Sequence, residues 1–141
     1  METTHSTTIT VENTVNAAVE KAWKCWTSPE HIIHWNNASD DWHTPVAEND
    51  LRNGGKFFSR MEAKDGSMGF DFEGVYDEVI TNELIAYTLG DGRKVKITFS
   101  REGGQTKIVE TFETENENSI ELQRGGWQAI LDNFKKYTEA N

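Results

Sequence analysis

Between Gly54-Gly55 and residue 137, five segments of strand character follow one another, punctuated by Asp65-Gly66, Asp91-Gly92 and Gly103-Gly104. They run directly into one helix that carries Gly125-Gly126-Trp127. This order restricts the possible folds sharply. An antiparallel meander with one apolar face, followed by a single aromatic-rich helix, buries both by curling the sheet around the helix. Space left between the two layers would hold a ligand.

The segments lie at roughly residues 56–63, 69–79, 84–89, 94–101 and 106–114. Asp-Gly pairs accept positive φ and match the twist of paired strands, so they read as tight hairpins; Thr81-Asn82 and Glu102-Gly103-Gly104-Gln105 read as looser ones. Sequential strands are therefore expected to be neighbours. Alternation assigns the faces. Phe57, Ser59 and Met61 share one inner face, as do Val95, Ile97 and Phe99, and Ile108, Glu110 and Phe112. In 69–79 the set Phe70, Phe72, Gly74, Tyr76 competes with Val75 and Val79, and one bulge would swap the second half. The aromatic set is taken as inward. For 84–89, Ile85, Tyr87 and Leu89 are taken as inward against Leu84 and Ala86.

Upstream, Ile9, Val11, Asn13 and Val15 alternate as a first strand. Asn16 is a candidate cap for a helix whose Val19, Ala22, Trp23 and Trp26 form one apolar face. Ser28-Pro29 restarts the chain as a short second helix bearing Ile32, Ile33 and Trp35. Residues 42–51 read as a short second strand, with Pro45 restricting it to an edge or a bulge. At the other end, Asn118 and Glu121 have capping-box spacing, and Ile120, Trp127, Ile130, Leu131, Phe134 and Tyr137 form a stripe at helical period. Two glycines inside that helix cost about 1 kcal/mol each relative to alanine, which calls for close backbone approach, a bend or space beneath the helix. Gly126 and Gln123 share the inward face.

A chain of 141 residues fits one domain, here residues 9–141 after a Thr-rich tail at 1–8, and a domain of this size buries roughly 68% of its unfolded surface. A net charge of -10 with no Lys/Arg cluster argues against nucleic acid or an anionic membrane as partner. No signal peptide or membrane anchor is visible, and the single cysteine, Cys25, reads as a buried apolar residue. A cytoplasmic location is expected. His31, His34, Asp40, Asp41 and His43 resemble a metal cluster superficially, but without paired-Cys or HExxH spacing they read as surface residues, and no metal or cofactor is expected. Phosphate-loop, dinucleotide and nucleophile-elbow motifs are absent from the sequence.

The whole pattern resembles a known family. It is carried by Trp23, Pro29, Glu30, His31 and Trp35, by Asp50-Leu51-Arg52 and Gly54-Gly55-Lys56-Phe57, by Gly74-Val75-Tyr76-Asp77-Glu78-Val79, and by Gly126-Trp127 before Leu131. These residues, in this order over about residues 8–138, are similar to the START-like, Bet v 1-like (SRPBCC) superfamily, and more closely to its single-domain branch named after the activator of Hsp90 ATPase homologue. The resemblance implies an α+β helix-grip fold: a curved seven-stranded antiparallel sheet around a long C-terminal helix, with two short helices closing one end. It also implies a hydrophobic cavity, although members bind different ligands and some are enzymes.

In such a cavity Trp35 and Trp42 would stand near the mouth. Phe57, Met61, Phe72, Tyr76, Tyr87, Phe99, Phe112, Trp127 and Leu131 would form walls, and Gln123 would present an amide. Glu110 is the sharpest candidate, because a carboxylate between Ile108 and Phe112 is desolvated and suited to bind or move a proton. An ion pair or a register shift would remove it from the site. The expected function is binding of a small apolar or aromatic molecule. The alternatives are a cyclase- or hydrolase-type cavity enzyme using Glu110 and a tyrosine, and a partner of an Hsp90-type chaperone.

Overall fold

The computed structural model describes residues 7–141. Its elements are β1 (Thr8–Val15), α1 (Val19–Thr27), α2 (Pro29–Trp35), β2 (Trp42–Asn49), β3 (Lys56–Ala63), β4 (Gly69–Ile80), β5 (Leu84–Leu89), β6 (Lys94–Glu102), β7 (Gln105–Glu113) and α3 (Ile120–Ala140). Of the expected tail, Thr8 already opens β1, and residues 1–6 lie outside the described residues. The strands form one antiparallel sheet in the order β1-β7-β6-β5-β4-β3-β2. Only the link from β1 to β2 departs from neighbour-to-neighbour order, and α1 and α2 occupy it. The sheet curls around α3, the α+β helix-grip arrangement anticipated above.

Turn chemistry sets the hairpins. Gly92 has φ +94° and Asn82 φ +65°, the left-handed values that these turns require. The Asp91 carboxylate accepts from the Arg93 backbone N–H, and Asp65 does the same for Ser67, closing each turn locally. Two irregularities bend the sheet. Register shifts between His43 and Val46 around Pro45 in the edge strand β2, and between Tyr76 and Glu78 in β4. At the second, Asp77 is the extra residue. Inward facing therefore passes from Tyr76 to Val79, which packs on the core, while the Asp77 carboxylate accepts from Thr88 Oγ1.

The expected faces otherwise hold. Ile85, Tyr87 and Leu89, Val95, Ile97 and Phe99, and Ile108, Glu110 and Phe112 are all buried. Phe70, expected inside, is 47% exposed because it sits near the open end of β4. Phe134 of α3 packs edge-on against Trp26 (4.8 Å) and Trp35 (5.0 Å), joining all three helices. Buried Cys25 gives its carbonyl to Trp35 Nε1 at 2.9 Å.

Two expected caps move. Ala18 occupies the N-cap of α1, with no side-chain cap bond, and the Asn16 N–H instead donates to Glu139 at the far end of α3. Ser119, rather than Asn118, caps α3, accepting from the Leu122 N–H at 3.1 Å. Asn118 is turned away because both its backbone N–H and its side-chain amide donate to the Glu115 carboxylate. The shift takes Glu121 off the capping-box position.

Candidate functional site

The layers separate on one side. Helix α3 packs closely on β1, α1 and α2, and between it and strands β2–β5 lies a cavity of about 400 Å³. Its walls come from Phe57, Ser59 and Met61 of β3, Phe70, Phe72 and Tyr76 of β4, Ile85 and Tyr87 of β5, Glu110 of β7, and Gln123, Gly126, Trp127 and Ile130 of α3. Trp26, Ile32 and Trp35 also line it. Phe70 and Leu122, at 47% and 62% exposed, bring apolar surface to the opening.

Local sequence explains the aromatic lining. Phe57 lies opposite Gly74 in the ladder, where an added Cβ would stand 2.9 Å from the Phe57 ring. Glycine is needed there because such a Cβ would also stand 2.5 Å from the Thr88 backbone carbonyl oxygen, and its absence lets the ring lie over the sheet. From that position Phe57 meets Tyr87 at 4.6 Å, Tyr76 at 5.2 Å and Phe72 at 5.8 Å, and Phe72 in turn meets Trp127 at 6.2 Å. Tyr76 Oη donates to Asn49 Oδ1 at 2.6 Å, and Asn49 donates on to the Thr27 carbonyl, fixing the β2 end of the wall.

Glu110 lies inside this wall, 5% exposed. Its neighbours across the ladder are Val11 and Ile97, both apolar. Burial alone pushes its carboxyl up to about 8, with neither a hydrogen bond nor an ion pair among the described residues to oppose it. Tyr87 stands near it, its phenol pushed well above the ordinary range by burial first and then by the Glu110 charge. Arg93 also lines the cavity, but its Nε donates to Asp91 Oδ2 at 2.8 Å. The result is a largely aromatic container in which the Glu110 carboxyl has no protein partner among the described residues and the Tyr87 phenol stands near it.

Several expected site residues lie elsewhere. Phe99 packs against Trp23 (5.2 Å) and Trp26 (5.8 Å) in the core. Phe112 lies beneath Trp127, their rings stacked at 3.9 Å, so Trp127 takes the wall position and covers it. Leu131 is wholly buried under α3, its carbonyl taken by the Asn13 amide. Trp42 packs against Phe70 but faces a separate polar groove between α2, the start of β2 and the end of α3. Trp35, expected near the mouth, is instead 4% exposed and forms part of the inner lining.

Gln123 reaches the cavity, but its amide is fully engaged. Its oxygen accepts from the Glu115 N–H, and its nitrogen donates to the Glu115 and Asn118 carbonyls, tying the β7–α3 connection to the helix. Outside the cavity, His31 Nδ1 bonds Tyr137 Oη at 2.6 Å and His34 stacks on the same ring. Among the described residues no group of three His, Cys, Asp or Glu is placed to share a metal ion.

Trp26, Ile85 and Ile130 were legible as inward residues, and the structure adds them to the lining. Arg93, Leu122 and Glu115 carried no such signal. They reach the cavity from a turn, a helix start and a loop, where periodicity assigns no face.

Neither Gly125 nor Gly126 accommodates a neighbour: a Cβ at either would meet nothing within 4 Å. Close backbone approach is therefore not their reason. Gly126 stands over the cavity, so space beneath the helix is what it preserves; Gly125 faces solvent.

A family model described as Activator of Hsp90 ATPase homolog 1-like protein matches residues 16–139. No curated protein matches the chain in sequence. Among solved structures, the solution structure of an AHSA1-like protein from Aeromonas hydrophila is 42% identical, with a TM-score of 0.89 over 95% of this chain and 93% of that one. The Chr148 protein of Cytophaga hutchinsonii is 61% identical, with a TM-score of 0.82 over 94% and 92%. CV1439 of Chromobacterium violaceum, 22% identical, shares the fold with a TM-score of 0.85 over 95% and 98%. Family match, identity and topology agree, and the chain belongs to the family of Activator of Hsp90 ATPase homolog 1-like proteins.

Proposed function

We propose that the protein is a cytoplasmic, noncatalytic carrier that binds a small apolar or aromatic molecule between strands β2–β5 and α3. The observation that supports this most is the cavity itself: about 400 Å³, walled by aromatic rings, with few inward polar groups. Sites for small molecules have this composition, an apolar body with sparse polar groups that set orientation. No helix among the described residues is long and apolar enough to cross a membrane.

Native mass spectrometry on freshly purified protein tests the reading. A small molecule retained at one per chain and released unchanged on denaturation is the expected result. Apoprotein that also fails to shift the NMR signals of Phe57, Tyr87 and Trp127 with any apolar aromatic compound overturns it. A second reading, proton-transfer catalysis by Glu110 and Tyr87, draws on a carboxyl held at about 8, close to neutral operating conditions. Conversion of a bound compound that stops in Glu110→Gln would favour the enzyme over the carrier.

A further inference from the structure

Resting on the carrier reading above, we propose that the ligand is a hydrophobic amine, bound as its ammonium cation with Glu110 as counter-ion inside the aromatic wall. Glu110 is buried, faces the cavity and has no protein partner among the described residues. The rings of Phe57, Phe72, Tyr87 and Trp127 line the same space, and the negative faces of such rings attract cations, most strongly when water is excluded. An anionic ligand meets the opposite conditions. It would face those rings and the carboxyl of Glu110. Arg93, the cation in the lining, is already held by Asp91. At long range, a net charge of -10 favours approach of cations over anions. The apolar opening at Phe70 and Leu122 suits a hydrocarbon body behind the charged head.

No covalent bond forms between ligand and protein. The amine arrives protonated, the Glu110 O–H bond breaks, its proton leaves to solvent, and the carboxylate accepts hydrogen bonds from the ammonium. Because burial keeps Glu110 protonated up to about pH 8, amine affinity rises about tenfold per pH unit below that value and levels off above it. Other groups facing Glu110 do not confuse this dependence. Tyr87 and Tyr76 are both shifted upward by burial and stay neutral, and Val11, Ile97, Gly126 and Trp127 do not titrate in the range used. Arg93, Glu48 and Glu115 remain in Glu110→Gln and serve as its internal control.

Calorimetry with three probes of related skeleton tests the inference: 2-(1-naphthyl)ethylamine, 2-(1-naphthyl)ethanol and 3-(1-naphthyl)propanoate. At pH 8 the amine is expected to bind about tenfold or more tighter than the alcohol. Measured in buffers of different ionisation enthalpy at pH 7, it should release close to one proton. Its affinity should rise from pH 6 to pH 8 while that of the alcohol does not. Glu110→Gln should remove the preference and the proton release, and Phe72→Leu should weaken the amine more than the alcohol. Equal or tighter binding of the alcohol or the propanoate, or an unchanged amine affinity in Glu110→Gln, overturns the amine inference and leaves the carrier reading standing. If none of the three binds at millimolar concentration, both fall.

Discussion

Burial of Glu110 without a partner makes stability depend on pH in an uncommon direction. Its carboxyl is raised in the folded protein from an ordinary 4.5 to about 8, so the folded state binds the extra proton between those values. Stability is therefore fully retained below about pH 4.5 as far as this group is concerned, and is lost as pH rises through 8. At about 1.4 kcal/mol per unit, the loss between pH 4.5 and 7 is roughly 3 kcal/mol. Glu110→Gln removes the dependence. Thermal melts of the variant and the parent should converge near pH 4.5, with the variant ahead by a margin that widens to pH 8 and then stays constant. A constant difference across the range would show that the group is solvated or paired. The location of this residue was legible, since period-two alternation between Ile108 and Phe112 put it on the inner face. What alternation could not distinguish was a ring lining the cavity from a ring covered by another. Phe112 shares that face, yet Trp127 stacks over it at 3.9 Å, and the covering ring comes from an element remote in sequence.

Helix α3 shows the same limit at the scale of an element. Its apolar stripe, its glycine pair and the position of Gly126 over the sheet follow from the 3.6-residue period, whereas its first residue did not. Asn118 and Ser119 are both good N-caps, and the choice was made by Glu115, which binds Asn118 through both its backbone and side-chain nitrogens. Ser119→Ala is accordingly expected to cost about 1 kcal/mol in a urea melt, and Asn118→Ala less. A larger loss for Asn118 would return the cap to the position expected from the sequence. The glycines allow a sharper comparison. Alanine at either position gains about 1 kcal/mol of helix propensity, and neither new methyl meets an obstacle. Gly125→Ala and Gly126→Ala should thus both raise the melting temperature. Only the second puts a methyl into the cavity, so only Gly126→Ala should weaken binding of 2-(1-naphthyl)ethylamine or another apolar probe. Equal effects on binding would mean that the cavity does not extend beneath Gly126.

Across the whole molecule, packing is uneven, and the unevenness follows the site. The most completely buried large side chains, among them Ile9, Val15, Val19, Ile85, Ile97, Ile108, Phe112, Leu131 and Phe134, belong to β1, β5, β6, β7, α1 and α3. Strands β2, β3 and β4 contribute none of them and instead present Met61, Phe57, Phe72 and Tyr76 to the cavity. The strand order places these three strands together at one end of the sheet, with β2 at the edge and a bulge on each side of β3, in β2 and in β4. A segment with few buried apolar contacts opens locally at lower free energy than the core it adjoins. Amide hydrogen exchange should therefore be faster through β2–β4 than through β6, β7 and β1, although every neighbouring pair of strands is hydrogen-bonded. Filling the cavity supplies the missing contacts on that side alone. A bound apolar amine is expected to slow exchange in β2–β4 while leaving β1 and β7 little changed, and a uniform slowing over all seven strands would show that ligand and sheet are coupled through global unfolding instead. The half of the sheet that admits the ligand would then also be the half that yields for its entry, because both properties arise from the same unfilled space.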